Sequence, residues 1–157
     1  MSGTGRIAFI NVSNGGVPKR PVPRARLTRA GIEGDRQRNL KHHGGPDRAV
    51  CLWSLELIDA LRHEGHPVFP GSTGENLTVT GVDWSAVVPG TRIRIGKALI
   101  EVTSYTTPCR TIRASFALWR TGRISQERHP GWSRVYARVV EEGEVAAGDP
   151  VRVESSV

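Results

Sequence analysis

Short strand-like runs separated by glycine, proline and aspartate dominate this 157-residue chain. The predicted strands are 6–12, 48–53, 75–81, 91–96, 98–104, 134–140 and 149–154. Apolar and polar residues alternate at Leu77 and Val79 and again at Val151 and Val153, which is typical of a strand with one buried face. A tight turn at Gly96-Lys97 is expected to join the fourth and fifth runs into a hairpin. Many short strands and few helices predict a mainly β fold, built as a closed or partly closed barrel.

Two stretches have the spacing of a helix instead. Residues 54–65 begin at Ser54, a good N-cap, and end at Gly65, a good C-cap. The apolar face of this predicted helix is Leu57, Ile58 and Leu61. Residues 110–122 predict a second helix, with Ile112, Phe116 and Trp119 on its inner side.

Residues 17–27 are rich in proline and arginine and predict an extended connection. Pro18, Pro21 and Pro23 exclude both a helix and a central strand there. Too few residues precede this stretch to form a separate domain, and the length of the chain suits one hydrophobic core. We therefore expect a single domain over residues 1–157.

The charge of the chain points to an anionic partner. Lysine and arginine number 22 against 15 acidic residues, which gives a net charge of +7. Most of these cations are arginines, which bind phosphate and carboxylate groups in a bidentate manner. A phosphorylated cofactor, an anionic metabolite or a nucleic acid would suit this charge, and so would a merely basic, solvated surface.

Several classes of protein are excluded by composition. No stretch approaches the roughly 20 apolar residues of a membrane span, so we expect no membrane association. The N-terminal residues lack the pattern of a secretory signal, and two cysteines make no disulfide framework. We therefore expect a cytoplasmic protein.

The segment 31–53 is dense in polar residues immediately before a predicted buried strand. Gly44 and Gly45 make a backbone turn possible, and carboxylates and imidazoles lie near it in the sequence, at Asp35, His42, His43 and Asp47. This pattern predicts either a catalytic or ligand-binding loop or an ordinary polar surface loop. Structural zinc is disfavoured, because adjacent histidines are poorly disposed to bind one ion together and no CxxC or HExxH motif occurs.

The segment 70–81 has a similar character. Glu75 and Asn76 offer an acceptor and an amide just before a predicted strand, where they could bind the edge of a heterocycle. The alternative is a turn that the side chain of Asn76 closes.

Cys109 is the residue with the greatest chemical potential. Proline precedes it, and Arg110 and Arg113 follow it. If a helix begins at Arg110, its N-terminal partial charge and these arginines would favour the thiolate, which is a nucleophile and a soft metal ligand. Cys51 lies inside an apolar run and is expected to be a packed core residue.

Taken in order, these segments resemble the MOSC domain family, named after the C-terminal part of molybdenum-cofactor sulfurase. The resemblance rests on four pieces: GIEGD followed by HHGGPDRAV, GENLTVTG, the Pro-Cys of TTPCRTI, and PGWSRVYARVVEEGEVAAGDPVRV. These pieces cover about residues 30–153. The chain is most similar to the small stand-alone bacterial members.

The resemblance implies a β-barrel-rich fold that binds molybdenum cofactor (molybdopterin) rather than pyridoxal phosphate. Cys109 would be the molybdenum ligand, and a catalytic role would extend to His43 and Asp35. The implied cofactor-binding residues are Gly44, Gly45, Glu75, Asn76, Arg110, Arg113 and Arg138, the arginines as candidates to hold the phosphate of the pterin. Relatives include proteins that reduce N-hydroxylated bases and amidoximes, and proteins that handle cofactor sulfur.

Three functions stay open on the sequence. The first is a molybdenum-dependent oxidoreductase that reduces small N-hydroxylated substrates and takes electrons from a donor protein, since no flavin or nicotinamide fingerprint is visible. The second is a non-redox carrier of cofactor or sulfur that uses a Cys109 persulfide. The third, a basic nucleic-acid-binding barrel, is disfavoured by the low aromatic content of 6%. A homodimer is a further candidate assembly.

Overall fold

The computed structural model of the chain describes residues 4–35 and 45–154. The strands are β1 (Gly5–Val12), β2 (Arg20–Val22), β3 (Arg24–Thr28), β4 (Gly31–Ile32), β5 (Val50–Ser54), β6 (Leu77–Thr80), β7 (Arg92–Ile95), β8 (Ala98–Tyr105), β9 (Val135–Glu141), β10 (Gly143–Ala146) and β11 (Pro150–Glu154). One α-helix, α1, spans Leu55–His63 in this described part of the chain. The seven predicted strands are thereby confirmed, with ends shifted by at most two residues.

Seven strands close into a barrel in the order β11-β7-β8-β9-β5-β6-β1, and β1 completes the circle by pairing with β11. Neighbouring strands are antiparallel except β5 and β6, which are parallel. A parallel pair needs a long crossover connection, and α1 lies in the segment that connects these two strands. Closure leaves the barrel strands without free edges.

The alternating residues of the strands fill the barrel. Leu77, Val79 and Val151 are buried in one apolar cluster that draws on most of the barrel strands. The predicted hairpin at Gly96-Lys97 is confirmed, since β7 and β8 are antiparallel partners on either side of it. The period-two pattern therefore predicted buried residues of β6 and β11, at Leu77, Val79 and Val151.

The proline-rich stretch contains two strands that the sequence did not predict. β2 pairs only with β1, at the outer edge of the sheet, and Pro21 lies opposite Asn11 there. Proline is tolerated at such an edge because its missing N–H need not serve a second neighbour. β3 forms a separate three-stranded sheet with β4 and β10.

The first predicted helix is confirmed. The hydroxyl of Ser54 accepts a hydrogen bond from the N–H of Leu57 at 3.3 Å, and Gly65 follows the helix with a φ of 102°. Ile58 and Leu61 are buried in a second apolar cluster, beside the barrel. No helix of the described residues is both long and apolar enough to span a membrane.

The second predicted helix is wrong. Residues 110–122 instead form short 3₁₀ helices at Arg110–Ser115 and Ala117–Trp119, and a third follows at Thr121–Ile124. Phe116 is extended between the first two, and Leu118 and Trp119 have positive φ values of 54° and 57°. Ile112 and Phe116 are buried in the second cluster, but Trp119 is 66% exposed. Successive turns therefore place Ile112 and Phe116 on the core without forming the continuous apolar face of an α-helix.

Candidate functional site

A cavity of about 380 Å³ lies at the end of the barrel where β1 and β8 finish and β6 and β9 begin. It is lined by Gly16, Val17, Lys19, Cys51, Thr73, Gly74, Asn76, Thr107, Cys109, Thr111, Ile112, Arg134 and Tyr136. Its volume is within the usual range for small-molecule sites, and its wall mixes apolar groups with a few polar ones. This is the candidate functional site.

Cys109 lies on the wall of this cavity, in the segment that follows β8. The segment is tied to the barrel by the N–H of Thr106, which donates to the carbonyl of Arg134 at 3.1 Å. Cys109 is half-buried and carries a free thiol. It does precede a helical segment, as expected, but a six-residue 3₁₀ helix replaces the α-helix whose dipole was expected to favour the thiolate.

The second cysteine faces the same cavity. Cys51 is buried, as predicted for a core residue, yet it also lines the site. Burial raises the pKa of its thiol to about 12, although the positive charge of Arg134 opposes the shift. Cys51 is therefore a neutral thiol at physiological pH, unsuited to the role of an anionic ligand.

Tyr136 lies beside Cys51, because the two residues are direct partners across β5 and β9. Its ring packs against the guanidinium of Arg48, 5.4 Å from the ring centroid. Burial raises the pKa of its hydroxyl to about 12. The phenol therefore keeps its proton at physiological pH.

Asn76 joins three strands at the base of the site. Its Oδ1 accepts from the N–H of Cys51 at 3.0 Å, and its backbone N–H donates to the carbonyl of Cys51 at 2.8 Å. Its Nδ2 donates to the carbonyl of Asn11 at 3.3 Å and to Asp35 Oδ2 at 3.0 Å. Asn76 lines the cavity, but its amide is engaged in holding β1, β5 and β6 together.

Asp35 forms a buried ion pair with Lys19. The Lys19 Nζ lies 2.7 Å from both carboxylate oxygens, and the N–H of Ser13 donates to Oδ1 at 2.8 Å. The two side chains are 4% and 7% exposed. Lys19 lines the cavity, whereas Asp35 lies behind it. The predicted catalytic Asp35 is thus placed to orient Lys19 and Asn76.

Glu75 is fully buried but does not line the cavity. Its carboxyl group accepts hydrogen bonds from Gly71 N–H at 3.0 Å, from Thr73 Oγ1 at 2.9 Å and from Thr78 Oγ1 at 3.1 Å. Burial raises the pKa of Glu75 in spite of these donors. Glu75 therefore shapes the loop that presents Thr73 and Gly74 to the site.

The raised pKa of Glu75 predicts a pH dependence of stability. Glu75 has a higher pKa in the folded protein than the 4.5 of the unfolded chain, so above pH 4.5 the unfolded chain loses this proton first. The contribution of Glu75 to the free energy of unfolding therefore falls as the pH rises from 4.5 toward the folded pKa. Urea denaturation of wild type and Glu75→Gln at several pH values measures the effect. The wild-type free energy of unfolding minus that of the variant should fall as the pH rises from 4.5. A difference that rises with pH would contradict this assignment.

Arg134 is a buried cation of the cavity wall that, unlike Lys19, has no acidic partner among the described residues. It directly precedes β9 and is 7% exposed. Its Nη1 donates to the carbonyl of Thr73 at 2.7 Å. Its Nε is buried and has no hydrogen-bond partner among the described residues.

The other predicted site residues lie away from the cavity wall. Arg110 and Arg113 are exposed, and the guanidinium of Arg113 packs on the Trp119 ring at 4.8 Å. Arg138 is half-buried and pairs with Glu101 at 3.3 Å. Gly45 is exposed at the start of a short 3₁₀ turn. His43 and Gly44 lie outside the described residues.

Lys19, Arg134 and Tyr136 were missed by the sequence analysis. Arg134 and Tyr136 belong to the predicted strand 134–140, where alternation alone does not separate a cavity-facing residue from a core one. Lys19 is isolated in the proline-rich stretch, which was interpreted as a connection. A basic residue next to Val135, at the start of a predicted strand, was the available signal for Arg134.

Comparisons with known proteins agree with this architecture. A family model for the MOSC domain matches residues 39–152. YflK of Bacillus subtilis is 34% identical over 135 residues, and YiiM of Escherichia coli is 34% identical over 140 residues. These matches cover 85% and 83% of this chain. The chain spans about 60% of the length of either relative.

Solved structures share the fold. YiiM from Geobacillus stearothermophilus superposes with a TM-score of 0.75 over 96% of this chain and 75% of its own, at 24% identity. The YuaD protein from Bacillus subtilis superposes with a TM-score of 0.74 over 100% of this chain and 99% of its own, at 18% identity. The family match spans most of the chain, including Cys109 and most of the residues that line the cavity, and the chain therefore belongs to the MOSC domain family, which is associated with binding of molybdenum cofactor.

Proposed function

We propose that this protein binds molybdenum cofactor and reduces N-hydroxylated compounds, with the Cys109 thiolate as a ligand of molybdenum. The observation that carries the proposal is the position of Cys109 on the wall of a cavity of about 380 Å³ that also contains a buried guanidinium. A thiolate is a soft ligand suited to such a metal, and the guanidinium suits an anionic cofactor. The donors of the site therefore fit the group.

When bound, the cofactor would supply the two-electron redox chemistry. Cys109 would hold the metal at the cavity wall, while the positive charge of Arg134 would balance negative charge on the cofactor. Tyr136 would form part of the wall against which the substrate lies. The apolar side chains of Val17 and Ile112 would exclude water from one part of the cavity.

The proposed reaction converts an N-hydroxylated nitrogen into an amine or amidine. The N–O bond breaks, two electrons and two protons are taken up, and water leaves. The electrons would come from a separate donor protein. The expected substrate is a small amidoxime or a purine base with an N-hydroxylated amino group.

The assay uses protein purified from a host that makes the cofactor, with reduced methyl viologen as electron donor. Benzamidoxime and 6-hydroxylaminopurine are the two substrates. We expect amine or amidine formation that requires the protein and the substrate together. Cofactor-loaded protein that turns over neither substrate would overturn the reductase proposal.

A sulfur-carrier function is the alternative, because Cys109 is half-exposed and a carrier needs an accessible thiol. It predicts a sulfane-sulfur adduct on Cys109 and no reduction of either substrate. Intact-protein mass spectrometry before and after treatment with cyanide, which removes sulfane sulfur, distinguishes the two functions.

A further inference from the structure

Arg134 carries a buried positive charge with no acidic partner among residues 4–35 and 45–154. Its Nη1 reaches a neutral acceptor, the carbonyl of Thr73, and its buried Nε reaches none in that part of the chain. Leaving a buried charge uncompensated is costly, and natural proteins pair such groups with a counterion or a ligand. The cavity that Arg134 lines is the place where such a ligand would lie.

The nearby carboxylates are already engaged. Asp35 is paired with Lys19 through both oxygens. Glu75 is closed within its loop by hydrogen bonds from Gly71, Thr73 and Thr78. The ion pair of Lys19 is self-contained, so the positive charge of Arg134 is left for an anion that enters the cavity.

The backbone around Arg134 holds the side chain in a defined position. Its carbonyl accepts from the N–H of Thr106 at 3.1 Å and from the hydroxyl of Ser133 at 2.6 Å. The bond from Thr106 ties the Arg134 backbone to the segment that leads to Cys109. With Nη1 fixed on Thr73, the guanidinium is prevented from turning freely, which favours recognition of an oxyanion in one orientation.

From this arrangement we propose that Arg134 binds the phosphate group of the cofactor, in the same cavity as Cys109. The three arginines named from the sequence lie elsewhere: Arg110 and Arg113 are exposed and Arg138 pairs with Glu101. This inference rests on the proposed function for the identity of the ligand. The ability of Arg134 to bind a phosphate in the cofactor-free protein does not depend on any redox activity.

The test uses cofactor-free protein from a host unable to make the cofactor, titrated with inorganic phosphate by isothermal calorimetry. The variants are Arg134→Met and Arg134→Lys, with Arg113→Met as the matched control for loss of one arginine. We expect wild type and Arg113→Met to bind phosphate alike. Arg134→Met should bind it at least about tenfold more weakly, as expected for loss of a charged hydrogen bond, and Arg134→Lys should be intermediate. Circular dichroism checks that each variant is folded.

Equal phosphate affinity in wild type and in folded Arg134→Met would overturn the assignment, as would loss of binding in Arg113→Met alone. If Arg134→Met does not fold, the neutral but polar Arg134→Gln variant replaces it, and wild-type phosphate affinity in folded Arg134→Gln has the same consequence. In the cofactor-loaded protein the phosphate site is expected to be closed to added phosphate. Loaded protein that still binds phosphate through Arg134 would overturn the proposal, because the phosphate of the bound cofactor would then not occupy this site.

The Cys109→Ala variant separates this inference from the proposed function. Cofactor-free Cys109→Ala should bind inorganic phosphate as wild type does, because Arg134 is intact. If the protein proves to carry no molybdenum but Arg134 still governs phosphate binding, the proposed function fails and the anion site remains.

Discussion

Replacing Cys109 with alanine is expected to lower the molybdenum bound to the purified protein by more than about a hundredfold and to reduce turnover of N-hydroxylated substrates to background. Outer partners of a metal ligand typically contribute about 10–100-fold to metal affinity, and the ligand itself contributes more. Cys109 is half-buried, and its side chain makes no capping hydrogen bond to the 3₁₀ helix that follows it, so the fold should be retained. Metal analysis and the benzamidoxime assay measure the two effects.

Cys51→Ala is the matched control, because its thiol lines the same cavity but stays protonated with a pKa of about 12. This variant should retain molybdenum. Loss of metal in Cys51→Ala with retention in Cys109→Ala would show that Cys51 is the metal ligand and would contradict the proposal. Full turnover in Cys109→Ala would refute any essential role of that thiol.

Replacing Asn76 with alanine is expected to destabilise the fold by about 3–5 kcal/mol. The change removes the side-chain partner of Cys51 N–H and of the Asn11 carbonyl, and each buried polar group left unpaired costs about 1–3 kcal/mol. It also removes one donor to Asp35 Oδ2, which keeps its bond from Lys19. Because a domain of this kind is stable by only about 5–15 kcal/mol, the loss is large. Urea denaturation followed by circular dichroism gives the free energy of unfolding.

Asn14→Ala is the control for this substitution. Asn14 is exposed, so the same change of side chain should alter the free energy of unfolding by less than about 0.5 kcal/mol. A cost below about 1 kcal/mol for Asn76→Ala would mean that the amide does not hold β1, β5 and β6 together as the hydrogen bonds indicate.

The barrel was predictable because its strands follow a simple local rule. Apolar residues at alternate positions, such as Leu77 and Val79, face the interior of the barrel, and glycine marks the hairpin turn at residue 96. Helix α1 was predictable for a similar reason, since Ser54 and Gly65 mark its ends. In each case the sequence pattern lies within the few residues that form the strand, turn or helix.

Residues 110–122 show where local reasoning fails. Their apolar spacing suits an α-helix, but Ile112 and Phe116 pack against a cluster contributed by distant residues such as Trp53. Successive 3₁₀ turns achieve that packing. Leu118 lies between the packed residues and solvent-facing ones, with a positive φ of 54° and 80% of its surface exposed. A pattern within one segment contains no information about the shape of the surface against which the segment packs.

The site was predictable only in part, for the same physical reason. Cys109 and Asn76 were identified, and both line the cavity. Lys19 and Arg134 come from distant parts of the chain, and the closure of the barrel brings them to the same cavity. Arg110 and Arg113, adjacent to Cys109 in sequence, point to solvent instead. Sequence proximity to a reactive residue was therefore a poor guide to contact with its ligand.

The most direct test of the account is the molybdenum and pterin content of wild type and Cys109→Ala, purified side by side from a host that makes the cofactor. Metal is measured by inductively coupled plasma mass spectrometry and pterin by fluorescence after oxidation. The account predicts near-stoichiometric molybdenum and pterin in wild type and a loss of molybdenum in the variant. Folded wild type without metal or pterin, or a variant with undiminished molybdenum, would contradict the claim that Cys109 is the ligand of a bound molybdenum cofactor.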